Sequence, residues 1–217
     1  FRSRGGAGAS AGSSPGGSAR LNRPDMPVAL LVRVAFWLWF GAALAAGYFL
    51  ALQRVSPLAT PGVLFALTAL LLWAYFRFAP LRAWVDALDM RSLVLLHLTR
   101  FVGIYLLLLY QRGALPRSLL VPGGLADIIV ATMALPVALA PLDPGSRHRA
   151  IRIWNIVGLV GLLFAILTIV RLSLTAPLHL RVLTHLPLSL LPTFLLPLLL
   201  ATHFALFVRT ARDPRPA

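Results

Sequence analysis

Arg100, His97 and Asp127 are ionisable residues set inside long apolar runs, where such side chains need a partner or water. An arginine deep in a membrane span costs ~2.5–3.5 kcal/mol on insertion scales, so Arg100 is expected to face protein or a wet cavity. His97 lies one helical turn before it on the same face. Asp127 follows Pro122-Gly123-Gly124, a stretch that weakens a helix. An Arg100–Asp127 ion pair is the simplest way to satisfy both charges; separate partners for each, or an Asp127 that is neutral in the membrane, are the alternatives. With a rise of ~1.5 Å per residue, Arg100 sits roughly 12 Å and Asp127 roughly 14–20 Å from one membrane face, a gap that a long arginine side chain bridges. Asn155 and His203 reach similar depths on other runs, with Trp154 beside the former.

His97, Arg100, Asp127, Trp154 and Asn155 are therefore read as an intramembrane polar cluster. Its plainest role is an ion pair that locks two helices together. His97 and His203 also raise ligand binding, since two facing imidazoles can hold a haem or a transition metal. Satisfied interior histidines explain the same two residues more simply. Templates of soluble enzymes are missing: neither HExxH, GxSxG, a P-loop nor GxGxxG occurs, and the acids form no close pair within the apolar runs. Asp86 and Asp89 are near each other, but on a solvated helix face. No catalytic residue is assigned, and a non-enzymatic protein is expected, either a small transport-type unit or a membrane interaction subunit. A membrane-embedded haem or redox protein is the alternative.

Six apolar runs must position these residues: Val34–Leu52, Pro61–Phe78, Ser92–Tyr110, Leu119–Ala140, Ile153–Val170 and Leu186–Val208. Each has about the 17–25 residues that cross ~30 Å of hydrocarbon as a helix. The fold class expected is all-α, a polytopic bundle of six transmembrane helices. Hydrophobic residues make up 59% of the 217 and charged residues only 12%, so water is not the main solvent. The formal charge of +14 does not point to nucleic acid, because the cations cap hydrophobic runs instead of clustering on one face between aromatics. Cysteine is absent, which excludes disulfides, thiolate metal sites and cysteine nucleophiles.

The arginines are sorted between the two membrane faces. The N-terminal tail, the second-to-third and fourth-to-fifth connections and the C-terminal tail carry 14, and the other connections carry 5, with Arg100 left inside a span. The positive-inside rule then places both termini in the cytoplasm, and the expected location is a bacterial inner membrane. Residues 1–33 read as a basic tail, disordered through its Gly/Ser/Ala-rich stretch, 34–208 as the transmembrane domain and 209–217 as a second tail. The chain opens at Phe1, so a start further upstream is expected. The first run reads as a retained span because a long basic tail precedes it and it exceeds a signal-peptide core.

Between the second and third spans, Leu81, Trp84, Val85 and Leu88 recur at helical spacing, while Arg82, Asp86, Asp89 and Arg91 fall elsewhere on the wheel. An interfacial helix and an extension of the third span fit this pattern equally. Leu172 to Leu186, with His179, Arg181 and His185 interspersed, is expected to lie on the outer surface. Ala43 with Gly47, and Gly158 with Gly161, are small-residue marks of close helix packing. Pro192 and Pro197 are expected to bend the sixth span.

From Arg100 onward the landmarks Arg100-x-x-Gly103, Leu115-Pro116, Gly124-x-x-Asp127, Trp154-Asn155-x-x-Gly158 and the Leu-Pro repeats at Leu186, Leu191 and Leu196 have a recognisable order. It resembles that of a group of small, uncharacterised bacterial multi-pass inner-membrane proteins. In that group an acid commonly stands three positions after the Trp-Asn-x-x-Gly stretch, where this chain has Gly161. The resemblance implies a shared multi-helix fold without an assigned activity. The lipid bilayer is the partner the composition implies, and the small size suggests a homodimer or a membrane partner protein.

Overall fold

The computed structural model describes residues 26–212, and among them the chain is helical with no strand. Among the described residues, six helical stretches are long and apolar enough to cross a membrane. The first is α1 (Met26–Tyr48). It begins eight residues before the run read from hydropathy and includes Arg33, so residues 26–33, assigned to the tail, are helical. The remainder of that tail lies outside the described residues. α1 ends short of Leu52 because Leu50 takes a left-handed backbone (φ 53°), after which Ala51–Gln53 form a single 3₁₀ turn.

α2 (Ala59–Arg77) is followed almost directly by α3 (Ala79–Ala87), with Pro80 in the first turn of α3, where its missing N–H costs nothing. Leu88 is extended (ψ 143°), which separates α3 from the next span and decides for a distinct amphipathic helix. Asp89 then caps α4 (Met90–Leu96) by accepting a hydrogen bond from the Arg91 amide at 3.1 Å. The third span continues as a 3₁₀ stretch, His97–Phe101, and as α5 (Val102–Gln111). Gly113, at φ 71°, closes it: its amide bonds Tyr110 O and that of Ala114 bonds Leu109 O, the paired bonds of a glycine-terminated helix end.

The fourth span is built from α6 (Arg117–Leu120), one π-helical turn at Val121–Leu125 and α7 (Ala126–Leu139). α8 (Pro144–Thr175) is a single helix of 32 residues, longer at both ends than its apolar run. After it, Pro177–Thr184 form a 3₁₀ helix that buries Leu180 and Leu183, so this segment is partly packed into the protein and does not merely lie on its surface. The sixth span starts with a π turn at Leu191–Leu195 and continues as α9 (Leu196–Arg212), which carries Arg209 and Arg212 out of the expected tail and into the helix.

Two apolar clusters form the core. One gathers Leu106, Leu119, Leu162, Ile166, Leu183 and Leu188, and the other Val94, Val130, Ala134, Ile151, Trp154 and Leu206. On the third, fourth, fifth and sixth spans the polar residues fall between these two sets along the chain. α1 is peripheral: only 6% of its apolar window is buried, against 67% for the sixth span. It is held by Phe36, Trp39 and Phe40 packed around Phe194, by a Trp39 Nε1–H bond to Thr193 O (3.0 Å), and by Gly47 against Leu186 and Ser189, with Ala43 buried one turn before it. Gly47 of the small-residue pair thus seats α1 on the segment that leads into the sixth span.

Candidate functional site

Two of the spans that carry the polar cluster leave regular α-geometry beside it, and a third does so some two turns away. His97 and Arg100 lie in the 3₁₀ stretch of the third span. Asp127 comes two residues after the π turn that Pro122, Gly123 and Gly124 form, whereas His203 lies in regular α9, eight residues past the π turn around Pro192. Proline within a span removes an amide donor, and a local shift to wider turns rearranges the ladder around the gap. Gly103 and Gly124 allow the third and fourth spans to touch: a Cβ on Gly103 would collide with Gly124 O. These glycines set the distance across which Arg100 reaches Asp127.

The reach is made. Arg100 has no exposed surface, and its Nε donates to Asp127 Oδ1 at 2.8 Å. Nη2 lies 2.7 Å from the same oxygen, an ion contact without hydrogen-bond alignment. Of the alternatives open in the sequence, the ion pair is the one the fold adopts. Nη1 turns to the other two spans, donating to Gly158 O at 3.1 Å and approaching His203 Nε2 at 3.2 Å. One guanidinium therefore joins the third, fourth, fifth and sixth spans.

Hydrogen-bond chemistry fixes the histidine tautomers. A guanidinium has no acceptor, so His203 Nε2 must accept from Arg100, and the ring proton sits on Nδ1. Nδ1–H donates to Asn155 Oδ1 at 2.8 Å, and Asn155 Nδ2 returns a bond to His203 O at 3.1 Å. Thr202 uses its hydroxyl hydrogen on Leu199 O (2.9 Å), so its 3.2 Å contact with His97 is one in which His97 Nε2–H donates. His97 Nδ1 then bears a lone pair, buried and with no partner among the described residues. Trp154 closes this side, donating to Val130 O at 3.0 Å and meeting His97 edge-on with ring centroids 5.0 Å apart.

All five residues of the expected cluster come together, and His203 joins them from the sixth span. Two members were not read from sequence as part of it. Gly158 stands in the sequence as a packing mark and as the end of the Trp-Asn-x-x-Gly landmark, yet its carbonyl takes a guanidinium bond and a Cβ there would lie 2.8 Å from His203 Cε1. Thr202 precedes His203 and carries no separate signal in sequence.

The two imidazoles do not fit a haem as arranged. Their rings are in direct contact, with centroids 4.2 Å apart, and a macrocycle held between axial ligands needs the space they fill. Both nitrogens of His203 are also committed, to Arg100 and Asn155. Among the described residues no group of three or more His, Cys, Asp or Glu is placed to hold a metal ion. What the arrangement does offer is a compensated charge pair with imidazole and amide groups arrayed around it.

Residues 57–211 match the family described as a domain of unknown function (DUF8737). The chain belongs to DUF8737. The match contains the whole cluster and begins well before Arg100, so the DUF8737 region takes in α2 to α9, while α1 precedes it. The expectation of a family without an assigned activity holds. No curated protein and no solved structure matches the chain.

Proposed function

We propose that this DUF8737 chain is a non-enzymatic interaction subunit of a bacterial inner membrane, with both termini in the cytoplasm and a buried cluster that fixes the packing of its third to sixth spans. The observation that carries the reading is the enclosure of Arg100, which has no exposed surface and whose contacts come from Asp127, Gly158 and His203 of three other spans. A charge so fully compensated by its own chain is committed to holding helices, which leaves function to the outward faces. Those faces would meet the bilayer and a membrane partner, either another protein or a second copy.

The orientation rests on the arginine count, and contacts between the relevant segments support it. Arg209 on α9 donates to Leu88 O at the end of α3 (2.7 Å), and His148 at the start of α8 meets Thr210 O (3.1 Å). The two arginine-rich connections and the C-terminal helix thus share one end. A reporter active only outside the cytoplasm, fused after Ala217, should be silent; strong activity would reverse the orientation.

Reconstitution separates interaction from transport. In proteoliposomes carrying pH- and ion-sensitive dyes, the full chain should give no flux above empty vesicles. Flux that disappears on replacing Arg100 or Asp127 would make the cluster a transport site and overturn this reading.

A further inference from the structure

On the lipid-facing side of the same bundle, α7 and α8 enclose a groove of about 330 Å³. Met133 and Val137 of α7 and Ala150, Ile153 and Val157 of α8 line it, with buried Trp154 between them, and every lining residue is apolar. From Val137 back to Ile129 it runs eight residues, about 12 Å of helix, or most of one leaflet of a ~30 Å hydrocarbon layer.

Beyond the end of the groove at Val137 and Ala150 stand two arginines of the first turns of α8, Arg147 and Arg149, neither of which lines it. Arg147 lies one turn before Ala150; its Nη2 donates to Ala140 O and Leu142 O at the end of α7, both at 3.0 Å. Its Nη1 is enclosed and has no hydrogen-bond partner among the described residues. Arg149 is exposed and falls beside Ile153 on the helical wheel. The acid at this corner, Asp143, is already engaged with the Ser146 amide at 2.9 Å. An apolar slot one leaflet deep thus ends near two arginines and a single carboxylate, a net positive charge.

We propose that the groove seats an acyl chain of an anionic phospholipid whose phosphate is held by the exposed Arg149, with Arg147, spent on the carbonyls at the end of α7, adding positive charge nearby. Arginine suits a phosphate oxygen because its planar fork offers paired donors. A partner helix fits less well, since close helix contact in a bilayer uses small residues and here only Ala150 is small. A seated chain would also bear on the cluster, because Trp154 bridges the groove to Val130 O and to the edge of His97. The assignment goes beyond the role given to the cluster and stands for either orientation in the membrane.

The test uses the full chain, released from nanodiscs that contain equal phosphatidylglycerol and phosphatidylcholine of matched chain length, with retained lipid read by native mass spectrometry. The wild type should keep one phosphatidylglycerol, favoured about fivefold for each arginine engaged. Arg149→Gln, a change at an exposed position, should lower that preference about fivefold and leave the thermal midpoint unchanged. Met133→Trp should fill the slot and abolish retention of either lipid, with Ala150→Leu as a second filling variant should the first not fold. Retention without headgroup preference, a preference untouched by Arg149→Gln and by a folded filling variant, or no retained lipid in the wild type would each overturn the proposal. So would a lipid-free dimer that a filling variant separates, which would assign the groove to a second copy.

Discussion

Removing one member of an enclosed ion pair costs more than the pair itself contributes, because the survivor keeps its charge in dry surroundings. Arg100 and Asp127, at 0% and 5% side-chain exposure, meet that condition. Arg100→Ala and Asp127→Ala should each lower stability by about 3–5 kcal/mol, and the double variant by clearly less than the two losses added. Reversible unfolding in mixed micelles measures all three, and strict additivity would show that the two residues do not act as a unit. Gly158 makes a separate prediction. A methyl group there meets His203 Cε1 at 2.8 Å and Val130 Cγ1 at 3.1 Å, so Gly158→Ala should push the imidazole away from Arg100 and cost about 1–3 kcal/mol in the same assay. The charged members of the site were legible in the sequence because charge inside an apolar run has few ways to be satisfied. The Gly158 carbonyl was not, since every residue has one and only the fold decides which of them turns toward a cation.

At the scale of elements, the spans were readable as segments and less so at their ends. Hydropathy follows side chains, whereas a helix stops where backbone geometry stops it. The apolar run through Leu52 is cut at Leu50 by a left-handed residue, and α8 begins ahead of its apolar core because Asp143 caps it early. Pro122-Gly123-Gly124 and Pro192 announced weakened helices, yet whether a gap becomes a kink or a π turn depends on the neighbouring span. The Asp143 cap can be tested by pH. The Ser146 amide, by donating to its carboxylate, holds Asp143 below the usual carboxylate range. A depressed folded-state pKa means that the cap's contribution is complete above the unfolded value of about 3.9 and is lost as pH falls through the folded one. Protection of the Ser146 and Arg147 amides from hydrogen exchange, relative to their intrinsic rates at each pH, should therefore fall below that range in the wild type. Asp143→Ala should exchange fast across the whole acidic range, and equal pH profiles in the two proteins would remove the cap from the account.

For the whole molecule, the order of helices around the bundle was the least legible level. In water a helix declares its inner face by the contrast between apolar and polar residues, but within lipid both faces are apolar and that contrast disappears. What remains are small residues and rare polar ones, and α1 shows how far they carry. Its place against the sixth span was marked by Ala43 and Gly47 alone, and a Cβ on Gly47 would lie 2.8 Å from a Leu186 methyl carbon and closer still to Ser189 Oγ. Gly47→Val should therefore lift the end of α1 from its seat and draw the Phe36–Trp39–Phe40 clasp away from Phe194. Because the chain has no cysteine, spin labels at Leu38→Cys and Phe207→Cys report the separation of α1 from α9 without background. The distance distribution should broaden and lengthen in Gly47→Val. A second label pair, at Ile104→Cys and Phe164→Cys on the third and fifth spans, should keep its distribution, since α1 lies outside the four spans that Arg100 joins. A change in that second pair would mean that α1 is part of the structure that holds the cluster and not an addition to its rim.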